Sequence, residues 1–385
     1  MREDMISKNK VVYFGIAFLP DKNALALRAS AMAKLARELG YEPVIVGMST
    51  SICADTYRKS TLDGIDCYEI QYPTKKIEWI KSLVSTKALL KVFDDIGVDH
   101  IHSIIMADYR FFVMFRIWGF GKQNDIRFIA DIMDWFVASS YLNPKEWVRG
   151  IDSWLRVNIL YPFLNRRICI CHNFERKYRK RGKNVIIPMV QSEGVDRIQY
   201  TPTDKITFAF AGQPGKGCCK EKIDWLIRAI YELKLCKKVV FEIAGITKEQ
   251  FIIENPNMER FINDESTVFL GRMSHSKCVE MISKADYSVL LRKKTRVSEY
   301  GFSTKISEAF LCGTPLLATD TSDTSIYVES GVNGFVCGCS YESVKNVLRQ
   351  VIEISPENYL QIRKNVSNEN ALSPDRYINM LKEIL

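Results

Sequence analysis

The densest set of residues suited to chemistry lies between positions 290 and 336, where Gly301, Phe302, Ser303, Thr304 and Lys305 lead into a helical pattern that carries Glu308. The N–H groups of a helix's first turn lack partners inside the helix and carry a partial positive charge, which suits a diphosphate. A carboxylate one turn further in can accept both hydroxyls of a ribose. Gly313-Thr314-Pro315 then ends the helix, and the apolar run 316–318 predicts a strand. A second feature, Gly212-Gln213-Pro214-Gly215-Lys216-Gly217, directly follows a strand-like run at 206–211. Its three glycines permit close backbone approach to a ligand, and Lys216 supplies a charge that can neutralise phosphate. The spacing is neither that of a Walker loop nor that of a dinucleotide fingerprint, so taken alone it also reads as a plain turn between strand and helix.

The first half offers scattered candidates. Asp131 and Asp134 follow a strand predicted over 126–131, which puts both carboxylates at a strand end, either facing a ligand or capping the next helix. Their spacing is not that of an Asp-x-Asp metal pair. His102 is read at the end of a strand over 100–105, beside a reacting group or in a structural role. Arg28, on the first helix, either reaches a cleft or is a surface charge. Cys169-Ile170-Cys171-His172 does not have structural-zinc spacing and reads as a buried strand.

These residues need a frame, and the pattern supplies one. Short β-branched or aromatic runs alternate with helical periodicity, as in parallel sheets covered by helices. In the first half, strands are predicted at 11–18, 43–47, 65–70, 100–105, 126–131, 168–171 and 185–188, with helices over 23–39 and near 108–120. After a polar segment at 191–205, a second series has strands at 206–211, 239–244, 267–270, 287–291 and 316–318. Its helices are expected over 222–235, 276–284, 344–354, 357–366 and 374–385. A chain of 385 residues with 47% hydrophobic composition exceeds one ordinary core. The expectation is two doubly wound, Rossmann-like domains facing a cleft, over 1–200 and 201–370, with a C-terminal helix in 371–385 packing back on the first. Ligands of such folds bind outside the carboxyl ends of the strands.

Composition narrows the class. Eleven cysteines, an odd number lying mostly in apolar runs, suit reduced thiols better than a disulfide framework. Met1-Arg2-Glu3-Asp4 does not open a signal peptide, and no apolar run is long enough to span a bilayer. The net charge is +9, and residues 1–200 hold 30 Lys and Arg against 22 Asp and Glu. The densest piece is Arg176-Lys177-Tyr178-Arg179-Lys180-Arg181-Gly182-Lys183. That run suits an anionic leaflet or a solvated helix end, and it lacks any nucleic-acid module.

Taken together, the motifs resemble glycosyltransferase family 4, of the two-domain GT-B fold. The likeness is carried by Gly212-Gln213-Pro214-Gly215-Lys216, Leu290-Leu291-Arg292, Gly301 to Ala309, Cys312-Gly313-Thr314-Pro315 and Gly331-Val332-Asn333-Gly334-Phe335. It is closest to the branch with a Gly-Phe-Pro-Thr-Lys loop, frequent among bacterial surface-polysaccharide enzymes; Ser303 stands where that branch often has Pro. The resemblance implies a retaining, metal-independent transferase without a cofactor, moving a sugar from a nucleoside-diphosphate donor to a glycan or lipid-linked acceptor. It implies a cytoplasmic enzyme, peripheral at the inner membrane face. Glu308 matches the second glutamate of the family's Glu-x7-Glu motif and would hold the ribose. Lys216 matches the phosphate-binding lysine, and Arg292 and Lys305 add charge near the diphosphate. Gly212, Gly215 and the N–H groups of Gly301, Phe302, Ser303 and Thr304 complete the donor set, with His102 and Asp134 as further catalytic candidates. The first motif glutamate is replaced by Tyr300. A non-catalytic nucleotide-sugar binder, or an epimerase or phosphorylase on the same fold, are the alternatives.

Overall fold

The computed structural model describes residues 8–20, 22–138, 143–190, 200–368 and 371–385; Met1 to Asp4 and most of the polar segment after position 190 lie outside them. The chain forms two compact units. The described residues of the first lie within Met1–Ser192, Tyr300–Phe302 and Ser373–Leu385, and those of the second within Glu193–Glu299 and Ser303–Leu372.

The first unit is built on β1 (Lys10–Phe14), β2 (Glu42–Ser49), β3 (Tyr57–Leu62), β4 (Ile65–Gln71), β5 (Ile101–Ala107), β6 (Arg127–Ile132), β7 (Arg166–Cys169) and β8 (Lys183–Ile186). Their order is β3-β4-β2-β1-β5-β6-β7-β8, parallel except for the antiparallel β3–β4 pair. Alternate side chains feed two cores, as the pleat requires. Val12 and Phe14 join Ile104 and Met106 under the helices Lys87–Ile96 and Phe111–Gln123. Val11 and Tyr13 join Ile105 and Ala107 under the Ala24–Glu38 helix. That helix starts where Asn23 accepts a hydrogen bond from the Ala26 N–H, and its inward alanines let it lie close to the sheet. Tyr377, Leu381, Ile384 and Leu385 bury in the same layer, so the C-terminal residues are structural members of this unit.

The second unit has β9 (Ile206–Ala211), β10 (Val239–Ala244), β11 (Thr267–Gly271), β12 (Tyr287–Leu290), β13 (Leu316–Thr319) and β14 (Gly334–Cys337), all parallel in the order β11-β10-β9-β12-β13-β14. Winding runs outward in both directions from the β9–β12 pair, which makes that pair the switch point.

Several sequence expectations shift. The first strand ends at Phe14 instead of position 18, because the Asn23 amide binds both the Phe18 N–H and the Ile16 carbonyl and folds that stretch into a loop. β3 was not anticipated. Its residues Tyr57-Arg58-Lys59-Ser60-Thr61-Leu62 are mostly exposed and polar, and it is an edge strand. The signal was the Asp63-Gly64 pair, both at positive φ (50° and 70°), which makes a tight hairpin turn. The strand at 168–171 is instead Arg166–Cys169, and Cys171 precedes the helix His172–Tyr178.

Candidate functional site

At the switch point of the second unit, the loops after β9 and β12 carry a cluster of charges. Arg292, two residues beyond β12, donates from Nε (3.0 Å) and Nη2 (2.6 Å) to Oε1 of Glu221. Lys305 Nζ lies 3.5 Å from the same oxygen. Glu221 is wholly buried, whereas Arg292 and Lys305 keep 15% and 11% of their side-chain surface open. Two cations on one carboxylate leave a net charge of about +1, and both cations still reach solvent. Oε2 of Glu221 has no hydrogen-bond partner among the described residues.

The surrounding backbone holds this cluster in place. Thr319, the last residue of β13, accepts the Arg292 N–H (2.7 Å) and returns its hydroxyl to the Arg292 carbonyl (2.9 Å). The Lys222 N–H donates to the Leu291 carbonyl at 2.6 Å, tying the loop after β9 to the loop after β12. Lys305 Nζ lies 5.0 Å from the centre of the Phe210 ring. Gly212 sits at φ 141°, and a Cβ there would come within 3.1 Å of Lys305 Nζ, so glycine serves both the backbone and the lysine. Gly212 N–H donates to Ala244 O, and Gln213 Nε2 to Gly245 O. Sequence reasoning passed over Glu221; its signal was an acid among the cations of a phosphate-type loop.

The helix after this loop is Thr304–Leu311. Ser303 stands at its N-cap position with extended backbone and no capping bond, and its buried hydroxyl has no partner among the described residues. Glu308, half-buried on the same helix, makes no side-chain hydrogen bond or ion pair among the described residues. The helix N-terminus, where the Ile306 N–H is already turned back to the Ser303 carbonyl, forms with the unsatisfied Ser303 hydroxyl, the two cations and the Glu308 carboxylate a constellation that can take a diphosphate and a diol. Gly215 (φ 79°) and the exposed Lys216 lie on the loop after β9, with Lys216 opening a short 3-10 turn through Cys218. Burial pushes the Cys218 thiol up to about 12, so it packs as a neutral group.

The remaining candidates belong to the first unit. Tyr300, Gly301 and Phe302 are part of it, and Phe302 packs on its core. Tyr300 makes edge contacts with Trp135 (4.8 Å) and Phe174 (5.1 Å). The position expected to hold a glutamate is therefore an aromatic packing site. His102 is the second residue of β5 and so lies at its amino end, not its carboxyl end. Its ring packs on Tyr41 and meets Arg127, which also binds the Leu385 carbonyl. Burial first, then Arg127 and Arg166, lowers its pKa, which keeps the ring neutral in a structural setting. Asp134 is exposed just beyond β6, and its N–H donates to Asp108 Oδ2 at 2.7 Å. Asp108 also receives the Met133 N–H, Arg156 and Tyr161, so it is the anchor of that loop. No helix follows directly at 133–138, so neither aspartate caps one. Asp131 and Arg28 are both fully buried, joined at 2.7 Å with Tyr13 and the Pro188 carbonyl, which corrects the surface and cleft readings of Arg28. A hollow of about 490 Å³ opens at the carboxyl ends of β1 and β4, floored by Phe14, Ile70, Leu89 and Tyr109 and rimmed by Lys81 and Lys87. No group of three or more His, Cys, Asp or Glu among the described residues is placed to hold a metal ion.

Comparison with known proteins gives this geometry a context. Residues 200–369 match the family model of glycosyl transferases, group 1. Sucrose-phosphate synthase from Thermosynechococcus elongatus aligns with a TM-score of 0.71 at 14% identity, covering 98% of each chain. Alr3699/HepE of Anabaena, in a complex with UDP and glucose, aligns at 0.62 and 13% identity over 97% of this chain and 98% of that one. A glycosyltransferase from Rickettsia africae aligns at 0.61 and 13% over 98% of each. The fold is GT-B. No curated protein matches the sequence.

Proposed function

We propose that the chain is a glycosyltransferase that moves a sugar from a nucleoside-diphosphate donor to an acceptor hydroxyl, with retention of anomeric configuration and without a metal. The observation that carries this reading is the Arg292–Lys305–Glu221 cluster beside the N-terminus of the Thr304–Leu311 helix and the half-buried Glu308 carboxylate. The family match over residues 200–369 supports it, as does UDP in the Anabaena relative, which makes UDP-glucose the first donor to try.

In this reading, Arg292, Lys305, Lys216 and the first-turn N–H groups stabilise the departing diphosphate while Glu308 holds the ribose. The acceptor oxygen bonds to the anomeric carbon as the carbon–oxygen bond to the diphosphate breaks, and the acceptor proton passes to the leaving phosphate. The barrier falls through charge stabilisation and positioning, with no protein nucleophile. The apolar floor and lysine rim of the first unit's hollow suit a lipid-linked saccharide phosphate, consistent with a family 4 enzyme of surface polysaccharide assembly. Neither His102 nor Asp134 has a role in this scheme.

The test is release of the matching nucleoside diphosphate from UDP-, GDP- and ADP-sugars with lipid-phosphate saccharide acceptors, alongside thermal shift with each nucleotide. Ligands that bind the folded state raise its midpoint. Lys216→Ala and Glu308→Ala should each lower turnover by about 100-fold or more with the fold intact. Near wild-type transfer by both variants sinks the assignment, and product formation without any acceptor moves it to an epimerase.

A further inference from the structure

An apolar stripe on the first unit faces outward where a packed helix normally faces in. Residues 144–163 run as one helix: Pro144–Leu155 is α, Arg156–Leu160 is a π turn, and Tyr161–Phe163 is α again. Trp147, Ile151 and Trp154 follow at α-helical spacing, and all are exposed. An unbroken α-helix would continue the stripe at Asn158. The Tyr161 N–H instead bonds to the Arg156 carbonyl, five residues back, and this wider turn advances the stripe by one residue. Ile159 and Phe163 therefore extend it, and Phe163 is 69% exposed. The opposite side is anchored by buried Arg156, Val157, Leu160 and Tyr161.

The basic run flanks this stripe. A hollow of about 330 Å³ lies between the helix and the His172–Tyr178 helix, walled by Asn158, Phe163, Lys177, Tyr178 and Arg181. From Asn143 to Lys183 there are eleven Lys and Arg against three Asp and Glu; Arg156 and Arg167 are buried, which leaves nine cations at least partly exposed. Asp152 is paired with Arg156 and Glu175 with Arg179. The surface thus joins tryptophan and phenylalanine to an excess of cations around a concavity of headgroup size.

We propose that this face docks the protein on an anionic phospholipid bilayer. Trp147, Ile151, Trp154, Ile159 and Phe163 enter the boundary between headgroups and acyl chains, and Lys177 and Arg181 hold a lipid phosphate in the hollow. Aromatic side chains with basic neighbours are the groups that partition to that boundary, and each cation adds attraction to an anionic leaflet. A protein partner fits less well, because the cores of such interfaces are depleted in lysine and in net charge. No helix among the described residues is long and apolar enough to cross a membrane, so the contact is lateral. The inference does not depend on the transferase reading.

The test is co-sedimentation of the full chain with vesicles of phosphatidylcholine alone and of phosphatidylcholine mixed with phosphatidylglycerol, with tryptophan emission as a second signal. The wild type should bind the anionic vesicles with a blue shift. Lys177→Gln with Arg181→Gln should weaken binding by roughly 10-fold or more, and Trp154→Ser with Phe163→Ser should do likewise. Unchanged circular dichroism and an unchanged thermal midpoint show that each variant is folded. Absence of binding to anionic vesicles, or binding that survives both variants, overturns the proposal. So does concentration-dependent self-association without lipid that the Trp154→Ser, Phe163→Ser variant abolishes, because the stripe is then an interface between copies.

Discussion

Glu221→Gln is the most informative single change in the second unit. Glutamine keeps the volume and the acceptor oxygen for Arg292, so only the negative charge is lost. Arg292 and Lys305 then face each other across a neutral group in a site where the carboxylate was wholly buried. Removing one partner of a buried ion pair costs about 3–5 kcal/mol. Because both cations keep an opening to water, the lower end, about 3 kcal/mol, is expected. Hydrogen exchange of peptides spanning 290–311 reads this locally, and urea unfolding reads it globally. Pyrophosphate should offset the loss, since a bound anion replaces the missing charge. Its stabilising effect should exceed that on the wild type by on the order of 1 kcal/mol, the scale of one charge removed near another in a partly solvated site. A variant within about 0.5 kcal/mol of the wild type, or one that pyrophosphate stabilises less than the wild type, would refute the account of Glu221 as the neutraliser of these two cations.

Two further predictions follow from packing and charge. Tyr300→Glu puts a carboxylate between Trp135 and Phe174 and should cost about 2–3 kcal/mol in chemical unfolding, while Tyr300→Phe stays within about 0.5 kcal/mol; equal stability of the two shows that the ring is not buried against those partners. Glu232 is held by Lys345 (2.5 Å), Tyr341 (2.7 Å) and Arg228 (2.7 Å), and these bonds, Lys345 first, lower its pKa to about 2 from an ordinary 4.5. Its folded-state pKa is depressed, so its contribution is present above about pH 4.5 and is lost as pH falls toward about 2. The stability gap between wild type and Glu232→Gln should therefore close over that window, and a gap independent of pH there contradicts the ion-pair assignment.

The amino-acid pattern by itself determined the two α/β series, because strand and helix periodicities are local properties that burial then enforces. Val11 to Phe14 alternate between two cores as their spacing demanded, and Gly212, Gly215 and Gly313 occupy the positive-φ positions where a side chain would strain the turn. Glu308 was legible for the same reason, since its place one turn into a helix follows from residues close by. What only the tertiary structure decided is non-local. Glu221 and Arg292 are 71 residues apart, and an acid among the cations of one loop does not tell that it will be buried under two cations from other loops. His102 is kept neutral by burial and by Arg127 and Arg166, which come from other strands. Tyr300 reads as a lost glutamate until Trp135 and Phe174 are seen to enclose it. The outward stripe from Trp147 to Phe163 likewise depends on a π turn, whose one-residue offset helical periodicity does not contain.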